Sequence, residues 1–127
     1  MAMGYACAAP ERTTVLFVGD GGLLMTLGEL ETAAREGIAL VIVVLNDCAY
    51  GAEVHYLAMR DMPTAKAAFV DIDFAPIAAA FGFETATVRS MGDLQQLSSL
   101  LARPDGPVLI DCKINGAIPA PFMFERK

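Results

Sequence analysis

The stretch Val18-Gly19-Asp20-Gly21-Gly22-Leu23-Leu24 joins an apolar, strand-like run, Thr14 to Val18, to a helix-like run from Leu23 to Glu36. A glycine-rich turn at such a junction presents backbone N–H groups at a helix N-terminus, where phosphate oxygens bind. Asp20, in the middle of that cradle, repels phosphate unless a cation comes with it. The residue types therefore point to phosphate plus a divalent metal. Mg²⁺ is held in this way, by one or two carboxylates together with phosphates and waters. A second polar turn, Asn46-Asp47-Cys48-Ala49-Tyr50-Gly51, closes the next apolar run and offers Asp47 as a further ligand.

To serve one site, both turns must end strands at the same sheet edge. Thr14–Val18 and Ile38–Leu45 are apolar on both faces, as buried parallel strands are. The run between them carries Leu23, Leu27, Leu30 and Ala34 on one stripe, with Glu29 and Glu31 off it and Gly37 as the C-cap. From Ala52 to Asp71 the pattern is weak and reads as a short helix and a loop. Asp73 is expected to N-cap a helix from Phe74 to Phe81 that ends at Gly82. Phe83–Val88 reads as a third strand. Ser90 and Asp93 make a capping-box pattern ahead of Leu94, Leu97, Leu100 and Leu101. Pro104-Asp105-Gly106-Pro107 reads as a turn, Val108–Ile114 as a fourth strand, and 116–127 as an irregular tail. Alternating strands and helices predict an α/β fold: three layers, a mostly parallel sheet with helices on both faces, and right-handed crossovers. Ligands of such sheets sit at the carboxyl ends of strands.

The chain of 127 residues fits a single domain, 1–127. A hydrophobic fraction of 55% and a charged fraction of 19% predict a packed core. Net charge is −6 without a basic cluster, which argues against nucleic acid and anionic membranes as partners. The longest apolar run, Ile38–Leu45, falls far short of the roughly 18 residues that span a bilayer. No secretory signal is expected at the N-terminus. Cys7, Cys48 and Cys112 form no CxxC and cannot all pair, so the reading is a reducing, cytoplasmic setting.

The pair of turns, Gly19-Asp20-Gly21 and Asn46-Asp47 one strand-helix-strand unit later, resembles the C-terminal cofactor-binding domain of thiamine-diphosphate enzymes of the acetolactate synthase and 2-oxoacid decarboxylase type. The resemblance runs from about Pro10 to Ile114. It implies the thiamine-diphosphate-binding fold and a role in decarboxylase (lyase) or carboligase (transferase) chemistry on a small 2-oxoacid, with thiamine diphosphate and Mg²⁺ as cofactors. By that resemblance Asp20, Asp47 and the backbone carbonyl of Ala49 are the metal ligands. Gly19, Gly21 and Gly22 form the cofactor turn, Gly21 and Gly22 offering N–H groups, and Tyr50 and Gly51 shape the second turn. Asp47 stands where the family usually has Asn, which adds negative charge beside a diphosphate. Met3, in Met3-Gly4-Tyr5-Ala6, matches the apolar residue that bends the cofactor, although residues 1–13 are shorter than the family's element there. His55 and Glu53 fall where the substrate-facing segment begins. Phe122, Met123 and Phe124 match tails that close over a site. Cys48 reads as a small buried filler.

Activation in that family needs a glutamate from a separate pyrimidine-binding domain, usually of a neighbouring subunit. The resemblance therefore implies a half-site with no catalytic residue of its own, an oligomeric assembly, and an isolated chain that is silent. Two alternatives use other chemistry. A dinucleotide-binding module would use the glycines and place Asp47 on a ribose, but Leu24 stands where the third glycine of GxGxxG belongs. A non-catalytic relic or assembly domain would keep the fold alone.

Overall fold

The computed structural model describes residues 1–95, 97–102 and 106–119. Four strands, Thr14–Gly19 (β1), Leu40–Asn46 (β2), Glu84–Val88 (β3) and Val108–Lys113 (β4), form one parallel sheet in the order β1-β2-β4-β3. The helices among the described residues are Ala2–Ala8 (α1), Asp20–Leu24 (α2), Glu29–Arg35 (α3), Gly51–Ala58 (α4), Phe74–Ala80 (α5), Met91–Gln95 (α6) and Leu97–Leu101 (α7). The strand register sets Gly19 beside Leu45 and Asn46 beside Lys113. The turns after β1 and β2 and the segment after β4 therefore meet at one edge.

The period-2 alternation of each strand divides two cores. On one face Leu40, Ile42, Val44 and Leu109 pack with Leu23, Leu30, Ala33, Phe74, Ala78 and Phe83. On the other, Val41, Val88, Val108 and Ile110 pack with Leu97. Helices thus cover both faces, giving the expected three layers. The second face is only partly covered. Val15 and Phe17 of β1, in register with Val41 and Val43, are 48% and 67% exposed. Among the described residues β1 has no strand on its outer side. No helix among them is long and apolar enough to cross a membrane.

The expected single helix from Leu23 to Glu36 is two helices. The Thr26 hydroxyl turns back on the carbonyls of Gly22 and Leu23, and Gly28 follows. The N–H groups of Thr26, Glu29 and Leu30 reach carbonyls three residues back, so the chain tightens there into 3₁₀ turns. Asp73 occupies the N-cap position of α5 but does not cap it with its side chain. The Phe74 N–H donates instead to Asp111 Oδ2 at 2.9 Å, and Asp73 accepts the Thr87 hydroxyl at 3.3 Å. A buried carboxylate from β4 has displaced the local cap. At α6, Asp93 accepts the N–H groups of Arg89 and Ser90 at 2.9 and 2.8 Å, as the capping pattern predicts. The expected turn at Pro104 and Asp105, and the tail from residue 120 with Phe122, Met123 and Phe124, lie outside the described residues.

Gly37 ends α3 at φ +60°, with the Ile38 N–H on Ala33 O and the Gly37 N–H on Ala34 O. This is a Schellman cap, and only glycine adopts it without strain. A Cβ at Gly37 meets nothing within 4 Å, so its cost is conformational alone. Gly37→Ala is expected to destabilise the domain by about 1 kcal/mol. Gly28→Ala, equally uncrowded and without a left-handed φ, should be neutral or stabilising. Urea unfolding midpoints at constant slope check both.

Candidate cofactor and metal site

Asp20 opens α2 and is only 1% exposed. Its Oδ1 accepts the Gly21 N–H at 2.9 Å, and its Oδ2 accepts the Cys48 N–H at 2.8 Å. One buried carboxylate therefore joins the turn after β1 to the turn after β2. Burial raises its pKa against the pull of the Gly21 N–H, and the charge of Asp47 raises it further. The N–H groups of Cys48 and Ala49 act in the opposite direction.

The second turn is held from three sides. Cys48 adopts a left-handed φ of 61°. The Phe69 N–H binds Cys48 O at 2.9 Å and the Tyr50 N–H binds Ala67 O at 2.8 Å, pairing Ala49 with Ala68. Those two bonds use the neighbours of Ala49 and leave its own N–H and C=O turned away from that segment. From below, Asn46 is the anchor. Its amide nitrogen donates to Asp111 Oδ1 at 3.0 Å and to Ile72 O at 2.9 Å, and its Oδ1 accepts the Cys48 N–H at 3.3 Å. Asp111 is fully buried, and Lys113 Nζ lies 3.2 Å from it. The same ammonium reaches Asp71 and Ile72 O at 2.6 Å each.

The result is a pocket of about 310 Å³ lined by Gly19, Asp20, Gly21, Gly22, Asp47, Ala49, Tyr50, Gly51 and Glu53, with Leu45, Ala52 and Ile114. Every predicted cofactor or metal residue except Met3 is here. Met3 lies in a separate apolar cavity with Leu16, Leu23 and Leu30, between α1 and α3. Glu53 lines the pocket; His55, half-buried on α4, does not. Two glycines are explained by close approach. A Cβ at Gly21 falls 2.6 Å from the Tyr50 ring, and one at Gly51 strikes the Asp47 carboxylate. The Gly21 N–H is engaged by Asp20, so Gly22 carries the open donor of that first turn. The first turn of α4, from Gly51 to Glu53, opens on the same pocket. Cys48 is half-buried rather than buried. Burial and then the charge of Asp71 raise its thiol pKa, which disfavours the thiolate.

Sequence reasoning quoted Asn46 only as part of the second-turn motif and gave Asp111, Lys113 and Gly116 no role at the site. The signal was Asp111 and Lys113 inside an otherwise apolar strand. Among the described residues no three His, Cys, Asp or Glu side chains converge as a metal site. Two carboxylates, a free carbonyl and two helix N-termini suit a cation that takes its remaining ligands from phosphate. Among the described residues no cationic side chain lines the pocket to bind phosphate directly.

Fold and pocket together define an α/β domain with a pocket at the carboxyl edge of a parallel sheet, the place where such sheets bind ligands. The sequence matches the family described as thiamine pyrophosphate enzyme, C-terminal TPP binding domain, over residues 1–112. The chain belongs to that family. It is 34% identical over 117 residues to the acetolactate synthase isozyme 1 large subunit of Escherichia coli, covering 90% of this chain and 21% of that one. It is 32% identical over 120 residues to a probable pyruvate decarboxylase of Schizosaccharomyces pombe, covering 90% and 20%. The thiamine diphosphate-dependent 4-hydroxybenzoylformate decarboxylase of Rhodococcus jostii superposes with a TM-score of 0.80 at 30% identity, over 90% of this chain and 22% of that chain. The chain thus spans about a fifth of the length of these relatives.

The anchor beneath the site gives two expectations. Lys113→Met leaves Asp111 buried without its counter-charge and should cost about 3 kcal/mol in urea unfolding at neutral pH. The Lys113 hydrogen bond holds the Asp71 carboxyl below its usual range. A lowered folded-state pKa adds stability above the unfolded value that disappears as pH falls through the folded one. The stability gap between wild type and Asp71→Asn, present at neutral pH, should therefore close in acid below the ordinary aspartate range. Thermal melts across pH check this.

Proposed function

We propose that this pocket binds the diphosphate of thiamine diphosphate with Mg²⁺, as one half of a 2-oxoacid decarboxylase or carboligase site of the acetolactate synthase type. The observation that carries the reading is Asp20. It is a buried carboxylate beside a second carboxylate, Asp47, in a pocket that no cationic side chain among the described residues lines. Such a pair needs a cation, and two helix N-termini in the same pocket supply N–H groups for phosphate oxygens.

Asp20, Asp47 and the Ala49 carbonyl would hold the metal. The N–H of Gly22 and the first turn of α4 would hold phosphate oxygens. When bound, thiamine diphosphate supplies the electron sink that decarboxylation of a 2-oxoacid requires. The residues of this chain anchor and orient. Tyr50, seated on Gly21 and stacked edge-on against Phe69 at 5.4 Å, fixes the wall between the two turns. Glu53 lines the pocket beside them, at the place where substrate would be met.

The activating glutamate would come from a separate pyrimidine-binding domain or subunit. The bare Val15 and Phe17 face of β1 supports a working form docked against further polypeptide, since both faces of a parallel sheet are normally covered. Family membership leaves the dinucleotide-binding alternative without support.

Calorimetric titration of thiamine diphosphate into the chain tests the reading, with Mg²⁺ and with chelator, for wild type and Asp20→Asn. The variant keeps one acceptor oxygen, enough for the Cys48 N–H but not for the Gly21 N–H as well, and removes the charge. Saturable binding that requires Mg²⁺ and weakens at least tenfold in the variant is expected. Binding indifferent to chelator and variant, or no binding in any arm, would overturn it and leave the domain a relic of the fold.

A further inference from the structure

Gly116 stands outside every motif and lies in the loop after β4. A Cβ at this position falls 3.1 Å from Asp47 Cβ and 3.4 Å from the Asp47 carbonyl oxygen. The first distance is closer than side chains normally approach, so one partner must yield. Asp47 can yield only by shifting within the pocket it lines. Its carboxylate already lies against Gly51 on its far side, where a Cβ would strike it. Its backbone is tethered from both neighbours. Asn46 O accepts the Ile114 N–H at 2.9 Å, and the Cys48 N–H is held by Asp20 at 2.8 Å.

The Gly116 loop is fixed as well. Asn115 Oδ1 accepts the Ala117 N–H at 3.0 Å, and Asn115 O accepts the Ile118 N–H at 3.2 Å. The backbone of Gly116 carries no left-handed φ, so that source of strain is absent for alanine and the contact with Asp47 is what opposes a side chain there. Asp47 is thus clamped between two glycines, one on α4 and one on the loop after β4.

We propose that Gly116 is a positioning residue for Asp47, setting where its carboxylate stands relative to Asp20. This rests on the cation reading of the pocket for its consequence, though not for its geometry. The loop after β4 then acts on the cation without touching it. Residues that orient a metal ligand typically govern affinity by about 10- to 100-fold. Gly116→Ala should sit near the lower end, because only one methyl group is added.

The test uses the full chain and two readouts. Mn²⁺ binding in the presence of thiamine diphosphate is followed by the spin-resonance signal of free Mn²⁺, for wild type, Gly116→Ala and Gly28→Ala. In chelator, the backbone amide resonances of residues 46–51 are compared among the same proteins, with the thermal midpoint as a check on folding. Expected are about tenfold weaker Mn²⁺ binding in Gly116→Ala, displaced Asp47, Cys48 and Gly51 amides without metal, an unchanged thermal midpoint, and wild-type behaviour of Gly28→Ala. Unmoved amides, or Mn²⁺ affinity equal to wild type where wild type binds, would overturn the positioning role. Displaced amides in a protein whose wild type binds no Mn²⁺ would uphold the positioning of Asp47 and sink the cation reading instead.

Discussion

The arrangement depends on one buried carboxylate shared between two turns. Asp20 is almost wholly removed from water, yet both oxygens have backbone N–H partners, from its own turn and from the turn after β2. A buried charge is tolerable only when paired or bonded in this way. The same bonds fix the second turn. Cys48 sits in a left-handed conformation that costs a non-glycine residue roughly 1 kcal/mol or more. The N–H it presents to Asp20 is the return on that strain. With Asp47 alongside, the site concentrates negative charge where the backbone offers positive ends of helices. The two carboxylates repel each other, a repulsion that a divalent cation would relieve, while the helix N-termini suit phosphate oxygens.

The fold was largely legible because its strands are apolar runs bounded by glycine and polar turns. β2 and β4, largely buried on both faces, leave that pattern in the sequence, and β1 carries it although Val15 and Phe17 are exposed. Ends were less legible than elements, since hydrogen bonding rather than hydropathy decides them. Asn46 is polar and reads as turn, yet it closes β2 as a buried ladder residue because Asp111 and Ile72 satisfy its amide. The run from Leu23 to Glu36 has a helical stripe throughout. The stripe could not show that the Thr26 hydroxyl would compete for the carbonyls of the preceding turn.

The site was legible where contacts are local to a motif and hidden where they are not. Asp20, Asp47 and the glycines between are read from two short stretches. Asp111 lies far along the chain and meets Asn46 only through the pairing of β2 with β4. The same pairing carries Lys113 to Asp71 and brings Gly116 against Asp47. No spacing rule in one sequence predicts this, because it depends on β4 inserting between β2 and β3. Met3 shows the converse. Its local pattern suggests the site, but α1 packs its side chain into the apolar cavity beside α3.

That insertion of β4 explains why the site can be both rigid and incomplete. β2 is flanked by β1 and β4, so the Asp47 turn is gripped from both neighbouring strands and from the 67–69 segment. Among the described residues β1 has a partner strand on one side only, and its Val15 and Phe17 are exposed. An apolar, uncharged strand with an open edge is an invitation to pair. The molecule therefore spends its internal order on the two ligand turns and leaves its unsatisfied surface beside them, on the strand that carries Asp20. A polypeptide docked on β1 would pack against the strand that leads directly into Asp20.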